Sequence, residues 1–352
     1  MTPEVLARFN AVRGREQRLA MATLVAAEGT SSSIVGAKTF VGETGLILGS
    51  VTIGGCLDAR AVEAADRVLA TDRAEVLDIA LADEDAWDMG LGCGGTVRLL
   101  VEPVAGATAR HPTSEAYAAA QRAVEAGRRV VVIRALEGDG ARLVLDADGT
   151  RTGTLGTAER DARAVALVGA RAGAAPGVLR DDTDGAWYFV EPFAPPLTVA
   201  VFGAGEVAVV LTRIAHDLGM RVVIVDARAR YATAARFPEA DEIRVGDPGA
   251  IVGELPATDE TFVVIVSHDY KYELPVLRAV LRSPVGYVGL MSSRARGAKL
   301  RAFLAGEGFT EEEMARLHTP IGVRIGARTP AQVAVSIAAE LVLVRAAQER
   351  PV

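Results

Sequence analysis

Cysteine is almost absent from this chain: Cys56 and Cys93 are the only two among 352 residues. A single pair without C-x-x-C spacing cannot close a four-ligand zinc site by itself, and in a reducing compartment it is expected as two thiols rather than a disulfide. Positive charge is also short, with 38 Lys and Arg against 45 Asp and Glu and a net charge of −7. No Lys/Arg block is interleaved with aromatics, which argues against a nucleic-acid partner and against an anionic lipid surface. The opening stretch MTPEVLARFNAVRGREQ lacks the apolar core of a signal peptide. No window approaches the ~20 uninterrupted apolar residues of a membrane span. These absences lead to the expectation of a soluble, cytoplasmic protein. Half of the residues are apolar, enough at this length for two cores.

The clearest break is Glu191-Pro192-Phe193-Ala194-Pro195-Pro196, a proline-rich connector. It predicts an N-terminal α/β domain over 1–192 and a C-terminal, Rossmann-like doubly wound domain over 197–352. The first half carries an internal repeat. Strands are expected from about Arg18, over Ala37 to Val41 and over Leu46 to Ser50, then a helix from about Leu57 to Ala70; the order returns at Arg129 to Ala135, Ala141 to Asp146, Thr152 to Leu155 and a helix through Ala170. Asp58-Ala59-Arg60-Ala61-Val62 recurs as Asp161-Ala162-Arg163-Ala164-Val165, and Val101-Glu102-Pro103 as Val190-Glu191-Pro192. The second copy carries neither cysteine, so the scaffold is expected to form without them.

Both cysteines sit among glycines, in Gly54-Gly55-Cys56 and in Gly90-Leu91-Gly92-Cys93-Gly94-Gly95. Glycine removes side-chain bulk and permits unusual backbone angles, so a large ligand could approach the sulfur. Cys56 precedes a helix, whose positive end favours thiolate, and successive N–H groups around Cys93 could form an anion-binding concavity. The alternative is that each is a small buried hydrophobe, a common fate of free cysteine. A second loop, Gly29 to Ser33 running on to Lys38, offers hydroxyls and one ammonium to an anion, or is a solvated connector.

In the second half the strand Thr198 to Phe202 runs into Gly203-Ala204-Gly205-Glu206-Val207-Ala208 and a helix, the setting of a dinucleotide fingerprint. Asp226, ending the next strand, is expected to accept a ribose hydroxyl, favouring NAD over NADP, with Arg228 and Arg230 keeping the alternative open. His268, after the strand Phe262 to Val266, could move protons or simply bond to backbone. Ser293 and Arg294, ahead of the helix Ala295 to Ala305, read as a phosphate seat or an ordinary cap. His111, His216 and His318 fall in a linker, a helix and a loop, and the final helix from Thr329-Pro330 to Val344 reads as core.

Taken together the residues resemble the XdhC/CoxI accessory proteins of molybdenum hydroxylases such as xanthine dehydrogenase and carbon monoxide dehydrogenase. The likeness spans nearly the whole chain. It rests on Gly49-Ser50 leading to Gly54-Gly55-Cys56, on Gly90 to Gly95, on Val201 to Gly205, and on Pro320-Ile321-Gly322 through Ala339-Glu340. The resemblance implies a chaperone that binds molybdenum cofactor (molybdopterin), supports exchange of its oxo ligand for sulfur and delivers it to the apo-hydroxylase. Its partners would be that hydroxylase, a sulfur donor such as a cysteine desulfurase, and a second copy in a homodimer. Cys56 and Cys93 would then touch the molybdenum centre or relay its sulfur, while Gly54, Gly55, Gly92, Gly94 and Gly95 hold the pterin phosphate. The Rossmann-like half would take NAD(P) or another nucleotide through Gly203, Gly205, Asp226, Ser293 and Arg294. Two other classes stand beside this reading: an NAD(P)-dependent oxidoreductase using Gly203, Gly205, Asp226 and His268, and a scaffold bridging a sulfur donor and a hydroxylase.

Overall fold

The computed structural model describes residues 5, 9, 16, 18–29, 35–51, 57–80, 95–105, 111–138, 140–169 and 175–349. They form two compact units, one reaching Pro195 and the other spanning Pro196–Gln348.

The first unit contains one arrangement twice. Strands β1 (Arg18–Glu28), β2 (Lys38–Gly42) and β3 (Ile47–Gly49) are followed by helix α1 (Asp58–Thr71), β4 (Glu75–Ala80) and β5 (Thr96–Ala105). After helix α2 (Pro112–Glu125) come β6 (Val130–Ala135), β7 (Arg142–Asp146), β8 (Arg151–Thr154), α3 (Ala158–Gly169), β9 (Gly177–Arg180) and β10 (Trp187–Phe193). Each set makes a five-stranded sheet, ordered β3-β2-β1-β5-β4 and β8-β7-β6-β10-β9. Neighbouring strands are antiparallel throughout. Alternation along β1 explains its unbroken apolar reading, because both of its faces are covered. Ala20, Ala22 and Leu24 meet Ala61, Ala64 and Val68 of α1. Leu19 and Met21 join Tyr117 and Ala120 of α2, Val132 of β6 and Phe193 of β10 in a second cluster. The small alanines of α1 let the helix lie close on β1 and β5.

The duplication reaches individual hydrogen bonds. Ser50 Oγ and Val51 N donate to Asp58 at 2.9 and 3.2 Å, and Thr154 Oγ1 and Leu155 N donate to Asp161 at 2.9 and 2.6 Å. Lys38, which begins β2, pairs with Glu191 of β10 at 2.8 Å, while Arg142, which begins β7, pairs with Glu102 of β5. Each copy thus sends a buried cation to the carboxylate of the other. The copies differ in their joins: residues 81–95 connect β4 to β5, but only 181–186 connect β9 to β10.

The second unit is a parallel sheet with helices on both faces. Its elements are β11 (Thr198–Phe202), α4 (Glu206–Asp217), β12 (Arg221–Asp226), β13 (Glu242–Val245), α5 (Pro248–Ile251), β14 (Thr261–Ile265), α6 (Tyr270–Val280), β15 (Tyr287–Leu290), α7 (Arg294–Gly306), α8 (Glu311–Ala315), β16 (Leu317–His318) and α9 (Pro330–Glu349). The order β13-β12-β11-β14-β15-β16 is that of a dinucleotide-binding sheet, with the strand order reversing beside β11. Val199 and Val201 face α4 and α9, whereas Ala200 and Phe202 face α6 and α7. The α/β class with a Rossmann-type second half is as the sequence indicates.

One expectation needs amending. Among the described residues, Pro330–Gln348 is a helix long and apolar enough to cross a membrane, with mean hydropathy 1.4. Its inner face, Ala334, Ile337, Ala338 and Leu341, packs into the core of the unit. The opposite face leaves Val335 and Leu343 50% and 62% exposed, so the helix is not wholly core as its composition suggests.

Candidate functional site

Gly54, Gly55, Cys56, Gly92, Cys93 and Gly94 lie outside the described residues, but the segments that hold them are anchored by residues inside. Register fixes where those anchors stand. Glu28 of β1 faces Thr96 of β5, and Thr96 faces Ala80 of β4. On the other side Thr23 faces Lys38 of β2, and Thr39 faces Gly49 of β3. The last residues of β1 and β4 and the first of β5 therefore share one end of the first sheet, while β3 runs the same way and ends level with Ala22, partway along β1. Leu57, next to Cys56, shares a core cluster with Val51 and with Val97. α1 itself begins at Asp58 with Leu57 as its cap residue and no side-chain cap, one residue later than the sequence indicates.

Two residues singled out in the sequence carry structural roles here. Gly95 has φ +117°, and a Cβ on it would run into the Glu28 carbonyl, so its glycine serves the close approach of β1 and β5. Lys38 offers no ammonium to a ligand: its side chain is 1% exposed, paired with Glu191 and hydrogen-bonded to Thr23 Oγ1 at 2.9 Å. A buried lysine is retained by such pairing, and its partner comes from the other copy, which no local pattern reveals.

The second unit holds a cavity of about 550 Å³ at the carboxyl ends of β11, β12 and β14, lined by Gly203, Gly205, Asp226, Arg228, Ser267 and His268 among others. Gly203, at φ +112°, lies against the Ser267 backbone, where a Cβ would stand 2.9 Å from the Ser267 nitrogen. Gly205 has open space where its Cβ would be and caps α4 without a side-chain bond, so backbone N–H groups at that helix start face no side-chain acceptor of the cap. Gly203, Gly205, Asp226 and His268 are thus brought to one cleft. His268 is exposed there. Ser293 and Arg294 are not among the lining residues; Ser293 accepts from Arg296 N at 3.2 Å as the cap of α7, so the ordinary-cap alternative is the observed one.

Asp226 departs from expectation in its bonding. One carboxylate oxygen accepts from Ala204 N at 2.7 Å and Arg228 Nη2 at 2.8 Å; the other accepts from Arg228 N at 2.8 Å and Arg228 Nε at 2.9 Å. A carboxylate offers about four acceptor positions, and here protein donors fill them. The ribose-hydroxyl role is read for Asp226 from its place in the sequence; here the carboxylate shapes the turn and fixes Arg228. Burial raises the Asp226 carboxyl, but these hydrogen bonds outweigh it and hold it below the ordinary aspartate value.

Groups outside the cavity lining were legible only in part. Glu273, fully buried in the first turn of α6, receives Ser267 Oγ at 3.3 Å and pairs with Arg296. Burial pushes its carboxyl up, ahead of the lowering pull of Arg296. In the Pro320 to Glu340 region, Glu340 binds His318 Nδ1 at 2.7 Å and accepts from Gly322 N, tying β16 and the following turn to α9. His318 is thus a strand residue in a lock rather than a loop residue. Among the described residues no group of three or more His, Cys, Asp or Glu could hold a metal ion.

Comparison with known proteins agrees with this layout. A family model for the XdhC Rossmann domain matches residues 199–341, and one for the XdhC and CoxI family matches 12–80. The chain belongs to the XdhC and CoxI family. It is 25% identical over 342 residues to a Bacillus subtilis protein named as a probable subunit of xanthine dehydrogenase, covering 94% of each chain. It is 34% identical over 91 residues to the molybdenum cofactor insertion chaperone PaoD of Escherichia coli, spanning 26% of this chain and 28% of that one. A crystal structure of a xanthine dehydrogenase from Bacillus halodurans superimposes with a TM-score of 0.82 at 24% identity, over 99% of this chain and 96% of that one, which shows the fold.

Proposed function

We propose that this chain is an accessory protein of molybdenum hydroxylases that binds molybdenum cofactor, supports its sulfuration and inserts it into the apo-enzyme. Cys56 and Cys93 meet the molybdenum centre or relay its sulfur, and the glycines beside them admit the pterin and its phosphate. The observation that carries this reading is that the flanks of the Cys93 segment stand at one end of the first sheet and Leu57, next to Cys56, shares a core cluster with Val97 of β5, while the duplicate sheet repeats the strands, the helix and the Asp161 clamp with a short join and no cysteine. Molybdenum and its terminal sulfur are soft partners for thiolate. The family membership and the relative named as a molybdenum cofactor insertion chaperone support the same reading. A cysteine desulfurase as sulfur donor, a molybdenum hydroxylase as recipient and a homodimer as the working form belong to it.

The test is co-purification of molybdenum and pterin from a molybdate-supplied host with wild type, Cys56→Ala and Cys93→Ala. Loss of cofactor in either variant supports the proposal; undiminished molybdenum and pterin in both overturns it. The cavity of the second unit favours one other reading, an NAD(P)-dependent oxidoreductase with His268 beside the cofactor. Turnover of a substrate with NAD or NADP that is unaffected by the cysteine substitutions would put that reading first.

A further inference from the structure

The cleft of the second unit presents a cation where the sequence suggests an anion. Asp226 is 5% exposed and its acceptor positions are taken by Ala204 N and by Arg228. Arg228, by contrast, has a side chain 53% exposed and lines the cavity. Nε and Nη2 of its guanidinium are spent on Asp226, and among the described residues no protein acceptor meets Nη1. The guanidinium lies 4.0 Å from the centre of the Tyr231 ring, which holds its plane. Arg236 shares that ring at 5.4 Å and is itself occupied by Glu206 and the Ala204 carbonyl. The other acidic and imidazole groups of the lining are Glu206 at the start of α4, which pairs with Arg236, and His268 and Asp269 after β14; Asp269 caps α6 by accepting from Lys271 N.

In a fold of this order the second strand ends beside the ribose of a nucleotide whose phosphates sit at the start of the first helix. A free carboxylate there selects a ribose diol; a guanidinium with an unspent edge selects a phosphate. We infer that the second unit binds a nucleotide whose ribose carries a further phosphate, of the adenosine 2′,5′-bisphosphate class, with Arg228 meeting that phosphate and Asp226 acting as the positioning residue that holds Arg228. All described lining residues of this cleft belong to the second unit.

The test is calorimetric titration of the full-length chain with adenosine 2′,5′-bisphosphate and with adenosine 5′-monophosphate. Wild type should bind the bisphosphate at least tenfold more tightly. Arg228→Ala should bring the two within about threefold by weakening the bisphosphate alone, with Arg228→Lys intermediate and the melting temperature of each variant reporting its fold. Asp226→Asn keeps an acceptor for Ala204 N but loses the charge clamp, and should weaken the bisphosphate while sparing the monophosphate. The inference is overturned by absence of binding to either nucleotide, by equal or tighter binding of the monophosphate to wild type, or by an Asp226→Asn variant that loses the monophosphate instead.

Discussion

Replacing Glu102 with Gln tests the ion cluster between the two sheets of the first unit. Glu102 accepts from Arg134 Nε at 2.8 Å and pairs with Arg142, and all three side chains are 5% exposed. Burial alone would push the Glu102 carboxyl up; the attraction of Arg142 and Arg134 and their hydrogen bonds outweigh it and bring it down to about 2. Against an ordinary value of 4.5, that displacement is worth ~3 kcal/mol of folding stability. Because the folded value is depressed, the contribution is fully present above pH 4.5 and is lost as pH falls through about 2. Gln keeps the shape and one acceptor but leaves two buried guanidinium groups without a counter-charge, and breaking such a pair typically costs ~3–5 kcal/mol. Urea unfolding of wild type and Glu102→Gln at pH 7 should show a loss of that size. At pH 3 the gap should narrow by ~2 kcal/mol as wild type loses its own advantage. A gap below ~0.5 kcal/mol at neutral pH, or one that does not narrow in acid, would refute the assignment of this carboxylate as the charged keystone of the contact.

Glu273 should show the opposite slope: burial raises its carboxyl, so its stabilising contribution is present below the ordinary glutamate value and lost as pH rises through the raised one. The stability difference between wild type and Glu273→Gln should therefore turn against wild type between pH 4 and 7 in urea titrations, and a rise instead would contradict the dominance of burial over Arg296. Gly203→Ala places a Cβ 2.9 Å from Ser267 N at φ +112° and should lower stability by ~1–3 kcal/mol. Gly205→Ala meets open space and should melt as wild type does, yet weaken nucleotide binding; a reversal of the two phenotypes in paired thermal and calorimetric measurements would misplace the cleft. Exchanging residues 81–94 for a short turn of the 181–186 kind should leave the melting temperature within ~4 °C of wild type, ~1 kcal/mol, while abolishing molybdenum retention. Retained molybdenum in such a variant would remove that segment from the site.

Features governed by neighbours in the chain were legible in the sequence. Val199 to Phe202 is an apolar run followed by Gly203-Ala204-Gly205, and with Thr198 it forms β11 ahead of the turn and helix because each choice depends on adjacent residues only. The repeat was legible because Asp58-Ala59-Arg60-Ala61-Val62 recurs as Asp161-Ala162-Arg163-Ala164-Val165. Features decided by distant partners were not. Lys38 looked available because its neighbours are small and polar, and only the fold brings Glu191 to it. Asp226 looked like a ribose acceptor because a free and a committed carboxylate have the same sequence; the difference lies in where Arg228 turns and in the nitrogen of Ala204. Strand β4 alternates between exposed and half-buried positions at a sheet edge, which leaves too little apolar signal to mark it.

The exchange of charges between the copies bears on why only one of them carries cysteine. Lys38 and Arg142 each bond the carboxylate of the opposite copy, and Asp58 and Asp161 each clamp the turn ahead of their helix. These contacts lie within and between the sheets, and each is made by residues both copies possess. A buried polar network satisfied from within fixes sheet register without help from loops, which separates holding the fold from handling a ligand. That separation lets backbone pared to glycine, costly in conformational entropy, stand beside both thiols: the entropic cost falls on a framework that the duplicated ion pairs and the α1 and α2 clusters already stabilise.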